Sequence, residues 1–372
     1  MALLIGRCRL GVTKSSPLVS VLRCQNGADS CKMAAAAGVG AQKFKKFHTS
    51  SIDLKKYSWL NYILGERTLK RFNDRSKIIV IDGNIAAGKT TLGQKLAKEL
   101  GMYYFPEASL DYFDRQSGDG KRLDPKFTGN VSLERFYKDP KAEDGHSFRL
   151  QVVMYMIRYL TYCDAMNHLL TTGEGVILDR SVYSDFVFLE AITTAGLIRK
   201  QCYDYYQELK GISLWRVLPP HLVIYLDAPL DVVKKRIKER GIPYEQTIDD
   251  SYLESIDRAY TKQFLPEIGE SSEILHYDWT NFGEIERVLE DIDMLKYEKS
   301  PWNDQDDVSL HHYRVFFNNK FHVVAKTIMA KYLPELTVGA LEFDEIRQEY
   351  LELPGMRYQK GYNKEDGNLI FK

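Results

Sequence analysis

The stretch KIIVIDGNIAAGKTTLGQKLAKEL, residues 77–100, decides how the rest of the chain can be arranged. Ile78-Ile79-Val80-Ile81 is an unbroken apolar run of the kind a strand covered on both faces requires, and Leu92, Leu96, Ala97 and Leu100 recur at the spacing of one helix face. Between them Gly83-Asn84-Ile85-Ala86-Ala87-Gly88-Lys89-Thr90 completes G-x-x-x-x-G-K-[ST]. The glycines let the backbone curl until its N–H groups and the helix N-terminus face a phosphate. Lys89 adds a point charge, and Thr90 offers a hydroxyl to Mg²⁺. Strand, loop and helix stand in the order a P-loop needs. A nucleotide phosphate is therefore expected on Gly83, Asn84, Ala87, Gly88, Lys89, Thr90 and Thr91.

Outward from this stretch, apolar runs alternate with helical periodicity. Tyr103-Tyr104-Phe105 reads as a second strand ending at Pro106-Glu107, and Val176-Ile177-Leu178 as a third delivering Asp179-Arg180. Leu222–Leu226 and Glu273–Tyr277 read as two more. A long helix is predicted over Ser147–Leu170, and helices through Ser184–Lys210. A further helix after Asp227 carries Lys234, Lys235, Arg236, Lys238 and Arg240. Ser117–Asn130 reads as a surface loop. The alternation predicts a three-layer α/β fold on a five-stranded parallel sheet, with ligands outside the carboxyl ends of the strands. Asp82-Gly83, Glu107 and Asp179-Arg180 all fall at such ends, Glu107 on the strand expected beside the P-loop strand.

Residues 1–50 hold eight Lys or Arg and one acid, Asp29, among Ala, Ser, Gly and Leu, the composition of a mitochondrial transit peptide. Its removal takes Cys8, Cys24 and Cys31, leaving Cys163 and Cys202, too few for a disulfide framework or a cysteine metal cluster. The whole chain balances 51 basic against 51 acidic residues, so the remainder carries a net charge of about −7. That sign disfavours nucleic acid as a partner. No apolar run reaches the roughly 18 residues a membrane span needs, so any membrane association runs through a partner.

Residues 51–76 read as a short helical arm and 77–297 as the α/β domain. From 298 to 372 follows a helical and irregular extension, expected to serve attachment more than folding of the α/β core. In it Leu310, Tyr313, Phe317, Phe321, Val324 and Ile328 repeat every three or four residues, predicting one helix whose stripe meets either its own domain or another subunit.

Residues 77 to about 290 resemble the deoxynucleoside kinases of the deoxycytidine and deoxyguanosine kinase type. The resemblance rests on the P-loop, on Phe136-Tyr137-Lys138-Asp139-Pro140 and on Asp179-Arg180-Ser181-Val182-Tyr183-Ser184-Asp185. It implies Glu107 as general base, Tyr137 and Arg180 as sugar contacts, and Gln151, Arg158 and Asp185 as the set that reads the base edge. Gln151 and Arg158 lie two helical turns apart and so project from one face. Asp179, with Thr90, would hold Mg²⁺. A buried charge or amide without a partner costs about 1–3 kcal/mol, which makes an occupied cleft the expectation.

Three departures bear on catalysis. Ala86 stands where the family has glycine, and Glu107 lacks the usual following proline. The lid sequence R-I-x-x-R-G-R is here Arg236-Ile237-Lys238-Glu239-Arg240-Gly241-Ile242, without its third arginine or a clear sugar-contacting acid. Such an arginine is worth about 10³ or more in phosphoryl transfer. Layout from leader to Leu353-Pro354-Gly355 resembles one branch of the family, the kinase-like accessory subunits of mitochondrial complex I. That resemblance implies a non-catalytic, matrix-side, peripheral protein of the inner membrane whose partners are other complex I subunits. A flavin, FAD, is associated with these proteins; the chain has no G-x-G-x-x-G. The rival expectation is an active mitochondrial deoxynucleoside kinase.

Overall fold

Five short runs pair into one sheet: β1 (Ile78–Gly83), β2 (Tyr103–Phe105), β3 (Val176–Asp179), β4 (Leu222–Asp227) and β5 (Glu273–Asp278). Every pairing is parallel and the order is β2-β3-β1-β4-β5. Burial follows that order. Each residue of β1 and β3 is buried, whereas the edge strands β2 and β5 are half-buried or exposed along their length. The computed structural model describes residues 59–116 and 121–353; the leader and the close of the extension lie outside them.

The order corrects one expectation. β3 stands between β1 and β2, so Glu107 follows an edge strand and is not beside the P-loop strand. Consecutive strands joined by a helix can skip a place, and the sequence of β2 carries no mark of the gap. Because the sheet is wholly parallel, the carboxyl end of β2 still opens on the same side as that of β1.

The helices are α1 (Trp59–Ile63), α2 (Lys89–Leu100), α3 (Leu133–Lys138), α4 (His146–Thr172), α5 (Phe186–Thr194), α6 (Lys200–Leu214), α7 (Leu230–Arg240), α8 (Asp250–Ala259), α9 (Leu265–Ile268), α10 (Ile285–Met294), α11 (Asp307–Asn318), α12 (Lys320–Ala325) and α13 (Ala340–Glu352). With the sheet they make the three-layer α/β architecture expected. α2 ends at Gly101, whose φ of 65° terminates it in the left-handed region. α4 is buried nearly all round, because sheet and α11 both pack against it. None of these helices is long and apolar enough to cross a membrane.

The extension differs from its expectation in two ways. Its predicted single helix is two, broken at Asn319 (φ −113°, ψ 87°), whose side chain accepts from the His322 N–H and so starts α12. Its first part is also built into the domain. Leu310, Phe317, Val323 and Val324 are buried, and Phe321 is exposed. Trp302 stacks on His221 at 4.7 Å and donates from Nε1 to the Pro219 carbonyl at 2.8 Å. His221 in turn accepts the Ile78 N–H at 2.9 Å, at the root of the P-loop strand.

The arm meets the extension. Arg314 of α11 is 1% exposed and donates to Thr68 Oγ1 at 3.1 Å, with Glu66 at 4.0 Å. Tyr62 lies against His311 at 4.3 Å, and the Leu69 N–H donates to Asp307 at 3.1 Å. The chain then passes so close over Gly173 (φ 78°) that a Cβ there would lie 2.2 Å from the Arg71 carbonyl oxygen.

Candidate functional site

The carboxyl ends of β1, β2 and β3 bring Lys89, Glu107, Asp179 and Arg180 together. The P-loop takes the strained backbone its composition implies: Gly83 has φ 145° and Gly88 φ 102°, while Ala86 sits at φ 54°. A left-handed conformation at a residue with a Cβ costs about 1–2 kcal/mol, so the missing glycine is tolerated at a price in stability. Asn84 accepts the Ile85 N–H at 2.8 Å and donates to the Leu253 carbonyl at 3.1 Å, tying the loop to α8. Lys89 is buried, its ammonium donating to the Asn84 carbonyl at 2.7 Å. Burial, with Arg180 adding repulsion, lowers its pKa to about 8. Thr90 and Thr91 open α2 and are exposed.

Glu107 and Arg180 form the centre. Arg180 donates to Glu107 at 2.6 Å and to the Gly83 carbonyl at 2.8 Å, from a backbone held at φ 63°. Arg158 stands 3.8 Å from the same carboxylate, and both guanidiniums lie over the Phe188 ring, at 4.7 and 5.0 Å. Burial alone would raise the Glu107 pKa; Arg180, Lys89 and Arg158 outweigh it and hold the carboxyl at about 2. Glu107 is therefore ionised at neutral pH, while 39% of its side chain still faces solvent.

Asp179 accepts from Thr90 at 2.5 Å, and burial together with the Glu107 charge raises its pKa. Its Oδ1 is buried without a hydrogen-bond partner. A hydroxyl beside a carboxylate with a spare oxygen fits Mg²⁺. No group of three or more His, Cys, Asp or Glu among the described residues could hold a metal, so phosphate oxygens would have to complete the shell. Asp82, beneath the loop, accepts from Ser184 at 2.7 Å and Tyr260 at 3.2 Å, and burial pushes its pKa up to about 6.

The base-edge set is brought together, and it corrects the expectation built on it. Gln151 donates to Asp185 Oδ2 at 2.7 Å, Arg158 donates to Asp185 Oδ1, and Tyr206 donates to Oδ2 at 2.5 Å. Asp185 thus meets most of the need of this buried set, and Arg158 Nε alone is left without a partner, so the call for a ligand comes from one atom of the set and not from all three residues.

The lid residues are placed differently. Arg236 donates to the carbonyls of Ala87 (3.1 Å), Trp279 (2.8 Å) and Thr280 (3.2 Å) and lies over Phe282 at 4.4 Å. It staples the loop after β5 to the P-loop, where a Cβ on Gly88 would meet the Phe282 ring at 2.8 Å. Arg240 lies 3.4 Å from Glu245.

Glu245 was not anticipated. It is 9% exposed, sits on the turn Pro243–Thr247 after the shortened lid, and keeps Oε2 unpaired. Burial raises its pKa, and the Glu107 charge adds to the rise. Beside it Tyr244 stacks on Tyr137 at 6.1 Å. Its only signal in the sequence was an acid two residues beyond a proline that restarts the chain after α7.

A family model described as deoxynucleoside kinase matches residues 79–300, more than half of the chain. The chain belongs to the deoxynucleoside kinase family. Curated relatives at higher identity extend past that match. NADH dehydrogenase [ubiquinone] 1 alpha subcomplex subunit 10 of Bos taurus is 48% identical over 321 residues, 86% of this chain and 94% of the relative. The Mus musculus protein of that name is 46% identical over 329 residues, 88% and 93%. A deoxyguanosine kinase of Dictyostelium discoideum is 34% identical over 232 residues, 62% of this chain and 74% of the kinase. Among solved structures, the deoxyadenosine kinase of M. mycoides with dCMP and dCDP is similar at 23% identity and a TM-score of 0.46, covering 59% of this chain and all of that one. This deoxynucleoside kinase relative thus carries an arm and an extension beyond the family match.

Proposed function

We propose that the chain is an accessory subunit of mitochondrial respiratory complex I, peripheral on the matrix side of the inner membrane. In this reading it supports assembly and stability, and its kinase-like cleft holds a nucleotide as a structural ligand. One observation carries the assignment: relatives named as alpha subcomplex subunit 10 match almost end to end, at 45–48% identity over 86–88% of this chain. Separation of mitochondrial membranes on native gels tests it. The chain should migrate with NADH dehydrogenase activity, and a chain running only as a free monomer would overturn the assignment.

The cleft supports binding better than turnover. Phosphoryl transfer needs cations that close over the transferring group. Here Arg236 is bonded to three carbonyl oxygens and Arg240 faces Glu245. A nucleotide would rest its phosphates on the N–H groups from Gly83 to Thr91, with Lys89 as counter-charge. The base would meet Gln151, Arg158 and Asp185, and the sugar Tyr137, Arg180 and the unpaired Glu245 oxygen. Mg²⁺ held by Thr90 and Asp179 would neutralise phosphate charge. Lys89 itself has a testable role: an anion beside it restores the protonated form, so binding near pH 8.5 should take up a proton. Calorimetry in two buffers of different ionisation enthalpy reads this, and Lys89→Ala should abolish it.

The second reading, an active deoxynucleoside kinase, draws on Glu107, ionised and in place beside Arg180. Incubation of the purified chain with ATP, Mg²⁺ and each deoxynucleoside separates the two. Turnover absent, or at least about a thousandfold below a working kinase, is the expected result. Robust phosphorylation lost in Glu107→Gln would establish the kinase.

A further inference from the structure

The P-loop has two flanks, and the order of the sheet assigns them. On the side of β3 and β2 lie Asp179, Arg180 and Glu107, the residues of the cleft. On the side of β4 and β5 lie α7, which follows β4, and the turn 279–284, which follows β5 and leads into α10. Phosphoryl transfer sets donor and acceptor in line, on opposite sides of the group that moves. With Gln151, Arg158 and Asp185 on the cleft side, a second nucleotide reaching the loop would have to lay its base on the flank of β4 and β5.

That flank is filled by the protein itself. The Arg236 guanidinium lies 4.4 Å from the centre of the Phe282 ring. A planar base slid between the two would need them about 7 Å apart, twice a van der Waals spacing. The same guanidinium donates from Nη1 to the Ala87 carbonyl of the P-loop at 3.1 Å, and from Nη2 to the carbonyls of Trp279 at 2.8 Å and Thr280 at 3.2 Å, so one side chain ties the turn to the loop. Phe282 is 65% exposed and yet lies against Gly88, the residue before Lys89. A Cβ on Gly88 would meet this ring at 2.8 Å and Trp279 Nε1 at 3.3 Å, and a Cβ on Gly283 would meet the Trp279 ring at 2.7 Å. Trp279 is thus wedged between two glycines, buried, with no acceptor for its indole N–H. A buried donor left unpaired disfavours the packed turn, whereas three charge-assisted bonds favour it. Arg236 is what holds the turn down.

We propose that Arg236, Trp279 and Phe282 form a plug that limits the P-loop to one nucleotide, reaching it from the cleft side, and excludes a second nucleotide with its base on the flank of β4 and β5. The inference rests on the reading of the cleft as a nucleotide site and adds its stoichiometry. The chain holds a ligand and has no place for a phosphate donor beside it. Phe282 is the stopper, and Arg236 is the tie that keeps it seated on Gly88.

Equilibrium dialysis of the purified chain in Mg²⁺, with ATP and the four common deoxynucleoside triphosphates as probes, counts the nucleotides bound. On the wild-type chain every probe that binds should saturate at one per chain, and any two should displace one another. Phe282→Ala removes an exposed ring and leaves the core untouched, so it should melt at the wild-type temperature. It should also bind ATP alongside a deoxynucleotide, at two nucleotides per chain. Arg236→Ala, which loses all three bonds to backbone, should do the same. Two nucleotides on the wild-type chain overturn the plug. So does a total of one on a Phe282→Ala chain whose melt is unchanged, an outcome that leaves the nucleotide reading in place. Binding of no probe to any of the three chains removes that reading and the plug together.

Discussion

The cleft and the extension both lean on α4, and the contrast between those two regions is informative. On the cleft side, charged groups inherited with the kinase fold pair with one another: Glu107 with Arg180, Asp185 with Gln151, Arg158 and Tyr206. Single buried atoms remain open there, at Asp82, Arg158, Asp179, Arg180 and Glu245. On the outer side, segments beyond the family match insert into the domain through Trp302, Leu310, Arg314 and Phe317. A kinase cleft must open and close on its substrates. Here Arg236 is bonded to backbone and Arg240 faces Glu245, while the first part of the extension is packed into the core. What has been elaborated is the attachment of the ends, and what has been stilled is the lid.

The sharpest way to break this contrast is to remove the extension. If it were only a handle, a chain ending at Tyr297 would fold. Its loss instead removes the buried Trp302, Leu310, Phe317, Val323 and Val324, each contributing about 1.5–3 kcal/mol, and bares the His221 and α4 surfaces beneath them, so the sum is on the order of the whole stability of a domain. The truncated chain should show no cooperative melt by circular dichroism. Trp302→Ala comes next, with an expected loss of about 3–5 kcal/mol from the cavity beside His221. Denaturant unfolding measures it, and a loss below 1 kcal/mol would make the extension a loose strap after all.

Asp82→Asn probes the cleft side by pH. The folded-state pKa, about 6, lies above the ordinary 3.8, so the stability linked to this carboxyl is full below pH 3.8 and is lost as pH rises through 6. The asparagine variant should lack that loss, flattening the stability profile between pH 4 and 7 by about 1–3 kcal/mol. Melts at four pH values decide it. The smallest effect is expected at Glu335→Gln. Its bidentate contact with Arg199, at 2.7 and 2.9 Å, is half-exposed on the arginine side and is worth at most about 1 kcal/mol.

Much of the sheet was legible because β1, β3 and β4 are buried on both faces and so carry unbroken apolar runs. The order of strands was not, since β2 is three residues long and the crossover that skips a place leaves no trace in composition. The cleft residues were legible where a motif or a seven-residue spacing held them, as for Lys89, Arg180, Gln151 and Arg158. Their pairing was hidden, because a hydrogen bond between Gln151 and Asp185 joins residues 34 apart through the fold. Glu245 escaped because the acid was sought directly after the lid arginines, whereas the shortened lid hands that place to a turn begun by Pro243. The break at Asn319 escaped because a helical period can continue across a cap without revealing it.

The most direct measurement of the central claim, that the chain contributes a scaffold and not a reaction, is complementation with Glu107→Gln. This change keeps shape and hydrogen bonding but removes the base that phosphoryl transfer would need. Cells lacking the chain and supplied with the variant should recover complex I assembly, and NADH:ubiquinone activity in membranes, at the wild-type level. A variant that enters mitochondria, melts at the wild-type temperature and restores neither would contradict the account.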